Sequence, residues 1–338
     1  MKKLSLIDKF VTIINSLVAI ALFISFISYY ISPNSISIVS FISLTVPVLI
    51  IINFLFVIYW VVKLKRQFLI STIILLLGFQ HVTKLYSFEE KKVLLTSDLK
   101  IMSYNVRMFN IYNWIDEENL DQKIYDFINE KQPDILCLQE FNPTVKLGFN
   151  YSYKYIKASK KSKVFGQAIF SNYKIINTGS LNFLNTGNNA IFADIIKKND
   201  TIRVYNIHLE SLSINPKKDY FNQENSEKLK IRIEKAFKKQ ANQTELIVKH
   251  QEKTTYKSII CGDFNNTAFS WVYNKLKKGK NDAFEVAGKG FGKTYNYTFP
   301  MRIDFILTDE EIEINNFKTF DVYYSDHYPI MTRLNFKP

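Results

Sequence analysis

The chain is poor in the residues that build thiolate or imidazole metal centres. It has two cysteines, Cys137 and Cys261, and four histidines among 338 residues. Both cysteines fall inside apolar, strand-like runs, where cysteine packs as a small hydrophobe. Neither a disulfide framework nor a thiolate site is therefore expected. No internal repeat is present, which excludes a solenoid. Charge is missing altogether from two long segments, 10–31 and 36–62. Each exceeds the roughly 20 apolar residues that cross a bilayer. Pro47, inside the second, is tolerable in a membrane helix. A cleaved signal peptide does not fit, because the apolar run recurs and no small-residue cleavage pattern follows the first. A transporter does not fit either, since apolar runs without internal charge offer no ion pathway.

A third apolar run, 68–86, is shorter and includes Gln80 and His81. Three transmembrane helices are expected, at 10–31, 36–62 and 68–86, within a membrane region covering 1–87. Residues 88–97 read as a linker and 98–338 as a second domain. Lys2, Lys3 and Lys9 precede the first run, and Lys63, Lys65 and Arg66 follow the second. The positive-inside rule puts these basic ends in the cytoplasm. Three crossings of a cell (inner) membrane then carry the second domain to the non-cytoplasmic side.

That domain is basic. Of the net charge of +13, residues 1–90 hold seven Lys/Arg and three Asp/Glu, which leaves +9 for the remainder. Such a balance favours polyanionic partners: nucleic acid, phosphorylated metabolites or anionic headgroups. An AT-rich genome, with its abundant Lys and Asn, gives the same balance without any partner. The basic run from Lys228 to Lys239 is interleaved with Glu227 and Glu234 and reads as a solvated helix face.

Periodicity predicts mixed α and β structure. Leu120, Ile124, Phe127 and Ile128 fit an amphipathic helix that Pro133 stops. Residues 226–250 predict a long charged helix with Leu229, Ile233, Phe237, Leu246 and Ile247 on its inner face. Segments 166–171, 190–196 and 201–207 read as strands, with turns at Asn188-Asn189 and Asn199-Asp200.

Four further strands, 101–106, 135–138, 258–262 and 303–307, carry chemistry at or near their ends. Tyr104-Asn105-Val106, Leu138-Gln139-Glu140 and Cys261-Gly262-Asp263-Phe264-Asn265 join Ser325-Asp326-His327 in supplying amides, carboxylates and an imidazole. Buried strands do not end this way unless the groups meet at a site. The set suits one hard divalent cation and one phosphate ester. Glu140 is a lone carboxylate at a strand end and the best metal ligand, with Asn105 as a neutral oxygen ligand. Asp263 and Asn265 share a face if their segment is extended, which suits Asp263 as water activator and Asn265 as its orienting partner.

In order along the chain, Asn105, Gln139-Glu140, Asn206-Ile207-His208, Gly262-Asp263-Phe264-Asn265, Arg302-Ile303-Asp304 and Ser325-Asp326-His327 resemble the motifs of the endonuclease/exonuclease/phosphatase superfamily of metal-dependent phosphoesterases. The resemblance runs from about Asp98 to the C-terminus. It implies a four-layer α/β sandwich with two packed, mainly antiparallel sheets. It also implies that Asp304 pairs with His327, that His327 contacts phosphate and that Asp326 sits beside the metal. The stretch from Asn206 to Ser211 resembles the tyrosyl-DNA phosphodiesterase branch, which gives His208 a catalytic role as phosphate ligand or leaving-group acid. Several relatives carry Asp two residues after the first Asn. Arg107 stands there in this chain, which weakens a second metal and offers either a substrate-phosphate contact or a structural salt bridge.

The stretch Ala287 to Thr294 approximates a phosphate-binding P-loop, but strand-like 295–300 follows where a helix is required. The expectation is thus a membrane-anchored hydrolase of phosphate esters using one Mg²⁺ or Mn²⁺, nuclease-like in preference. Phospholipid or sphingomyelin phosphodiesterase and small-metabolite phosphatase are the alternatives, and a non-catalytic binding protein of the same fold ranks below them.

Overall fold

The computed structural model describes residues 4–145, 148–198, 200–213, 223–297 and 299–336. Four helices come first: α1 (Leu6–Ser28), α2 (Val39–Val62), α3 (Phe68–Leu77) and α4 (Phe79–Leu85). Then follow β1 (Leu99–Asn105), α5 (Leu120–Lys131), β2 (Ile135–Phe141), β3 (Tyr153–Ala158), β4 (Gly166–Ser171), β5 (Ile175–Ser180), β6 (Asn189–Lys197) and β7 (Asp200–His208). The chain continues through α6 (Gln223–Gln251), β8 (Lys257–Asp263), α7 (Trp271–Lys277), β9 (Lys280–Asp282), α8 (Ala283–Ala287), β10 (Asp304–Asp309), β11 (Ile312–Thr319) and β12 (Ile330–Phe336).

The strands form two six-stranded sheets, ordered β11-β12-β1-β2-β4-β3 and β5-β6-β7-β8-β10-β9. Each is antiparallel apart from one central parallel pair, β1 with β2 and β7 with β8. Strand alternation builds three apolar layers. Ile101, Cys137, Val204, Ile259, Cys261 and Ile306 point between the sheets. The alternate residues Met102, Tyr104, Leu136 and Leu138 face Ile124 and Phe127 of α5. Tyr205, Ile207, Ile260 and Phe305 face Ala241 and Ile247 of α6 and Trp271 of α7. This is the expected four-layer sandwich. On α6 the inner face holds Ile233, Phe237 and Ile247, whereas Leu246 is exposed. Leu246 lies about two and a half turns beyond Phe237, which at 3.6 residues per turn puts it on the opposite face.

Helices α1 and α2 are long and apolar enough to cross a membrane. The third run is not one straight span: α3 and α4 meet at an 80° bend. The bend falls at Gly78, where the Phe26 ring presses so close that a Cβ would lie 2.0 Å from it. A buried polar chain ties the three helices together. Trp60 donates to Asn15 (2.9 Å), Asn15 to Ser71 (2.6 Å), and Ser71 to Asn53 (2.8 Å). Such bonds act as glue where apolar helices gain little from hydrophobic contact.

The helices are docked on the sandwich. Asn274 donates to the Tyr29 carbonyl (3.0 Å), Asn34 bonds Asn242 (2.8 Å), and Phe41 meets Phe237 edge to face. Leu22, Val46, Ile50 and Leu85 share a core with Phe269. Residues 88–97 lack helix or strand and run beside β11. There Val93 donates to the Asn315 carbonyl and the Lys91 amine to that of Ile314.

Candidate active site

The layer between the sheets changes character along its length. Its apolar part gives way to Ser103, Gln139 and Asn206, all buried. The Gln139 amide donates to Asn206 Oδ1 (2.6 Å) and Ser103 Oγ (3.1 Å). Asn206 Nδ2 donates to the carbonyls of Leu138 and Ala168 (2.9 Å each). These two motif residues thus clamp one sheet to the other. Beyond them, at the C-terminal ends of both parallel pairs, come Asn105, Glu140, His208 and Asp263. Register places His208 opposite Asp263, and Asp263 opposite Asp304. The approach of β8 to β7 needs Gly262: its φ is +139°, and a Cβ there would lie 1.9 Å from the Ile207 carbonyl oxygen.

Asn105 Nδ2 donates to Asp263 Oδ2 (3.1 Å) and Glu140 Oε1 (3.2 Å). His208 Nε2 lies 3.5 Å from Asp263 Oδ2 and 3.8 Å from Glu140 Oε1. His327 Nδ1 is 2.9 Å from Asp304 Oδ2, and its Nε2 is 3.7 Å from Asp263 Oδ2. Asp263 and Asn265 do not share a face of an extended segment. The strand stops at Asp263, and Asn265 takes a left-handed φ of +48°. Its backbone N–H donates to Asp263 Oδ1 (2.7 Å), while its side-chain amide donates to the Leu209 carbonyl. Asp263 is oriented by the turn rather than by the Asn265 side chain.

Burial sets the protonation states. Burial first, then the negative charge of Asp304, pushes the Asp263 carboxyl up to about 7. Burial and the neighbouring charge of His327 push His208 down to about 3, so it is neutral. Burial alone would lower His327 as well, but the carboxylates of Asp304 and Asp263 hold its imidazolium well above the usual range. Glu140 is raised by burial and by Asp326.

Arg107 begins a left-handed turn of four non-glycine residues, 107–110, with φ between 42° and 59°. The turn is costly for L-residues, and the bond from the Arg107 N–H to Asn105 Oδ1 (3.1 Å) helps to hold it. It sets the guanidinium over Trp114 (4.6 Å) and 3.0 Å from Asp326 Oδ2. Of the two readings open for Arg107, the salt bridge is formed.

Two groups of ligand-capable atoms compete for the name of metal site. Atoms of Asp263, Asp304 and His327 lie within 4.8 Å of one another. His327, however, turns Nδ1 to Asp304 (2.9 Å), and the surrounding carboxylates favour its charged form, an arrangement suited to acid–base work. The hard oxygen donors Glu140 and Asp326, two mutually repelling carboxylates with Arg107 salt-bridged to Asp326, fit Mg²⁺ better. Asn105, expected as a neutral oxygen ligand, instead turns its Nδ2 to Glu140 and gives its Oδ1 to the Arg107 N–H, so it orients the carboxylate.

The cavity above these residues, of about 620 Å³, also involves residues that sequence reasoning missed. Asn188 reaches it from the start of β6 and donates to the Leu209 carbonyl (2.6 Å). The Phe165 ring lies beside His208, and that of Tyr295 beside His327. Residues 295–301 form single bridges rather than a strand, and Thr298 lies outside the described residues. Thr294, at the end of the P-loop-like stretch, accepts from the N–H groups of Ile303 and Asp304 and so fixes the start of β10. Leu44, Pro47 and Val48 of α2 also line the cavity, a contact between an apolar helix of membrane-crossing length and the site that no local motif announces.

A two-sheet sandwich with this polar rim defines a hydrolase of phosphate esters. The chain belongs to the endonuclease/exonuclease/phosphatase family, whose model matches residues 102–327. Residues 8–85 match a model described as a domain of unknown function. Comparison with curated proteins gives no match. Among solved structures, humanized Danio rerio TDP2 is 19 % identical, with a TM-score of 0.54 over 71 % of this chain and 100 % of its own. The human Nocturnin catalytic domain is 17 % identical, with a TM-score of 0.53 over 72 % of this chain and 97 % of its own. A family protein from Bacteroides vulgatus is 16 % identical, with a TM-score of 0.54 over 71 % of this chain and 99 % of its own. These likenesses establish the fold.

Proposed function

We propose that the chain is a membrane-anchored phosphodiesterase that depends on one divalent cation. The observation that carries the proposal is the meeting of Asn105, Glu140, His208, Asp263, Asp304 and His327 in one buried constellation drawn from both sheets. A phosphodiester resists attack because its oxygens repel a nucleophile. Asp263, raised toward neutrality and held by Asn105 and the Asn265 N–H, takes the proton of the attacking water. His327, charged and fixed by Asp304, donates toward a phosphoryl oxygen. Neutral His208 serves as a hydrogen-bond donor to phosphate and is poorly suited to be the leaving-group acid. Glu140 and Asp326 would hold Mg²⁺ or Mn²⁺, with Asn105 orienting Glu140, and the ion would supply Lewis-acid neutralisation of phosphoryl charge. Arg107, salt-bridged to Asp326, lies beside them and balances their charge. Overall, the oxygen of water joins phosphorus, one P–O ester bond breaks, and the proton ends on the released alcohol.

Anchoring is supported by the apolar length of α1 and α2 and by the course of α3, which runs from the level of Asn15 to that of Phe26 before the bend. The sandwich contacts the α1–α2 connection at Tyr29 and Asn34, the end opposite Lys63, Lys65 and Arg66. With the basic end in the cytoplasm, the catalytic residues lie on the other side. TDP2 has been crystallised with a single-stranded DNA product. That relative keeps nucleic acid among the substrates to be tested. The decisive assay is hydrolysis of bis(p-nitrophenyl) phosphate by the full-length protein. Turnover should require Mg²⁺ or Mn²⁺, stop in excess chelator, and fall by about 10²-fold or more in Glu140→Gln and His327→Ala. Absence of turnover with either ion would favour the binding-protein reading.

A further inference from the structure

The wall of the cavity facing the catalytic residues belongs to the membrane helices. Leu44, Pro47 and Val48 of α2 and Leu85 of α4 line it on one side. Phe291, Phe299, Pro300 and Met301 line it across the gap. Glu140, His208, Asp263 and His327 lie at its polar end. Val48 is 45 % exposed, and the outward face of α2 continues from it through Ile51, Phe54 and Leu55, all exposed and all apolar. An unbroken apolar path therefore leads from the flank of a membrane-length helix to the phosphoesterase centre.

The same cavity is short of what a nucleic-acid backbone needs. Phosphate chains are held by rows of lysine and arginine. Among the described residues lining it, two are lysine or arginine, Lys84 and Arg302, and the charged imidazole of His327 is already held by Asp304. Both are engaged elsewhere: the Lys84 amine lies over the Tyr29 ring (4.0 Å), and Arg302 Nη1 is 2.6 Å from Asp282 Oδ2. The basic residues of α6 are absent from its lining.

We infer that the substrate is a lipid phosphoester, entering from the bilayer with its apolar chain between α2 and the 291–301 segment and its phosphate at Glu140, His208, Asp263 and His327. This rests on the phosphoesterase reading above and adds the substrate class. Apolar contact along the chain selects the lipid, and the catalytic cluster needs only the ester it carries. Diester and monoester lipids share this chemistry, so both enter the test.

The test uses the full chain in nanodiscs with Mg²⁺. Substrates are the butyl, octyl and dodecyl p-nitrophenyl phosphodiesters, dodecyl phosphate as the monoester, and the p-nitrophenyl ester of thymidylate. Each fully buried methylene is worth about fourfold, so kcat/KM should rise at least about tenfold from butyl to octyl. Leu44→Trp and Val48→Trp, which fill the groove without adding charge, should remove most of that rise. Val61→Trp, at the other end of α2 and equally exposed to the bilayer, controls for partitioning and should retain it. Release of inorganic phosphate from dodecyl phosphate in preference to nitrophenol from the diesters would assign a lipid monoester. A rate independent of chain length, a rise equal in all three tryptophan variants, or a preference for the thymidylate ester would overturn the inference and leave the phosphoesterase reading standing. If no ester is hydrolysed, that reading falls and the inference with it.

Discussion

Replacing Asp263 by asparagine should abolish turnover and stabilise the metal-free protein. Burial and the negative charge of Asp304 raise the Asp263 carboxyl from the usual 3.8 to about 7, against the opposing pull of the His327 imidazolium. A group whose folded pKa lies above its unfolded value binds more protons when folded, so stability falls as pH rises between the two. Above pH 7 the cost is complete and amounts to roughly 4 kcal/mol. Below pH 4 it vanishes. Asparagine removes the ionised form but keeps an oxygen for the Asn265 N–H (2.7 Å). Its amide nitrogen then faces Asn105 Nδ2, a donor against a donor, at a cost of about 1–2 kcal/mol. The net gain of about 2 kcal/mol should appear as roughly 4–8 °C in Tm at pH 8. Thermal unfolding of the full chain in excess chelator, followed by tryptophan fluorescence at pH 5 and pH 8, measures it. The gain should shrink at pH 5. A Tm lowered at pH 8, or a gain equal at both pH values, would refute the electrostatic reasoning.

Other outcomes follow from the same geometry. Gly262→Ala should prevent stable folding or cost more than about 3 kcal/mol, read by denaturant unfolding, because its Cβ would overlap the Ile207 carbonyl at a left-handed φ. Asp304→Asn should lower kcat by about 10²-fold or more with a small change in KM, since it removes the charge that keeps His327 protonated. His208→Gln, which preserves a donor, should retain more activity than His208→Ala, and equal loss in both would argue for proton transfer instead. A periplasmic-type reporter fused after Pro338 should be active, and deletion of residues 68–86 should silence it.

The strands that carry the site were legible because each is an apolar run ending in a polar group. Alternation even predicts which residues of β1, β7 and β8 face one another between the sheets. What could not be read was tertiary. Gln139 and Asn206 sit inside recognisable motifs, yet their amides serve the contact between sheets, a role visible only once both sheets are in place. The left-handed turn at 107–110 contains no glycine to signal it. Gly78 has an unremarkable φ, and the bend there depends on Phe26, distant in sequence. The α2 wall of the cavity escapes any local pattern, since an apolar helix looks the same whether lipid or a catalytic domain lies against it.

The core that Leu22, Val46, Ile50 and Leu85 share with Phe269 means that the catalytic unit is no tethered ball on a string. Asn274 gripping Tyr29 and the aromatic seam of Phe41 with Phe237 fix its height relative to the helix ends. In the proposed bilayer setting, such an attachment would work as a ruler. Ester groups lying at one depth would fall within reach, while chemically identical groups held deeper or farther out would not. Bilayer thickness would then govern turnover as directly as substrate concentration, because a thicker or thinner membrane moves the esters while the protein's own geometry stays fixed.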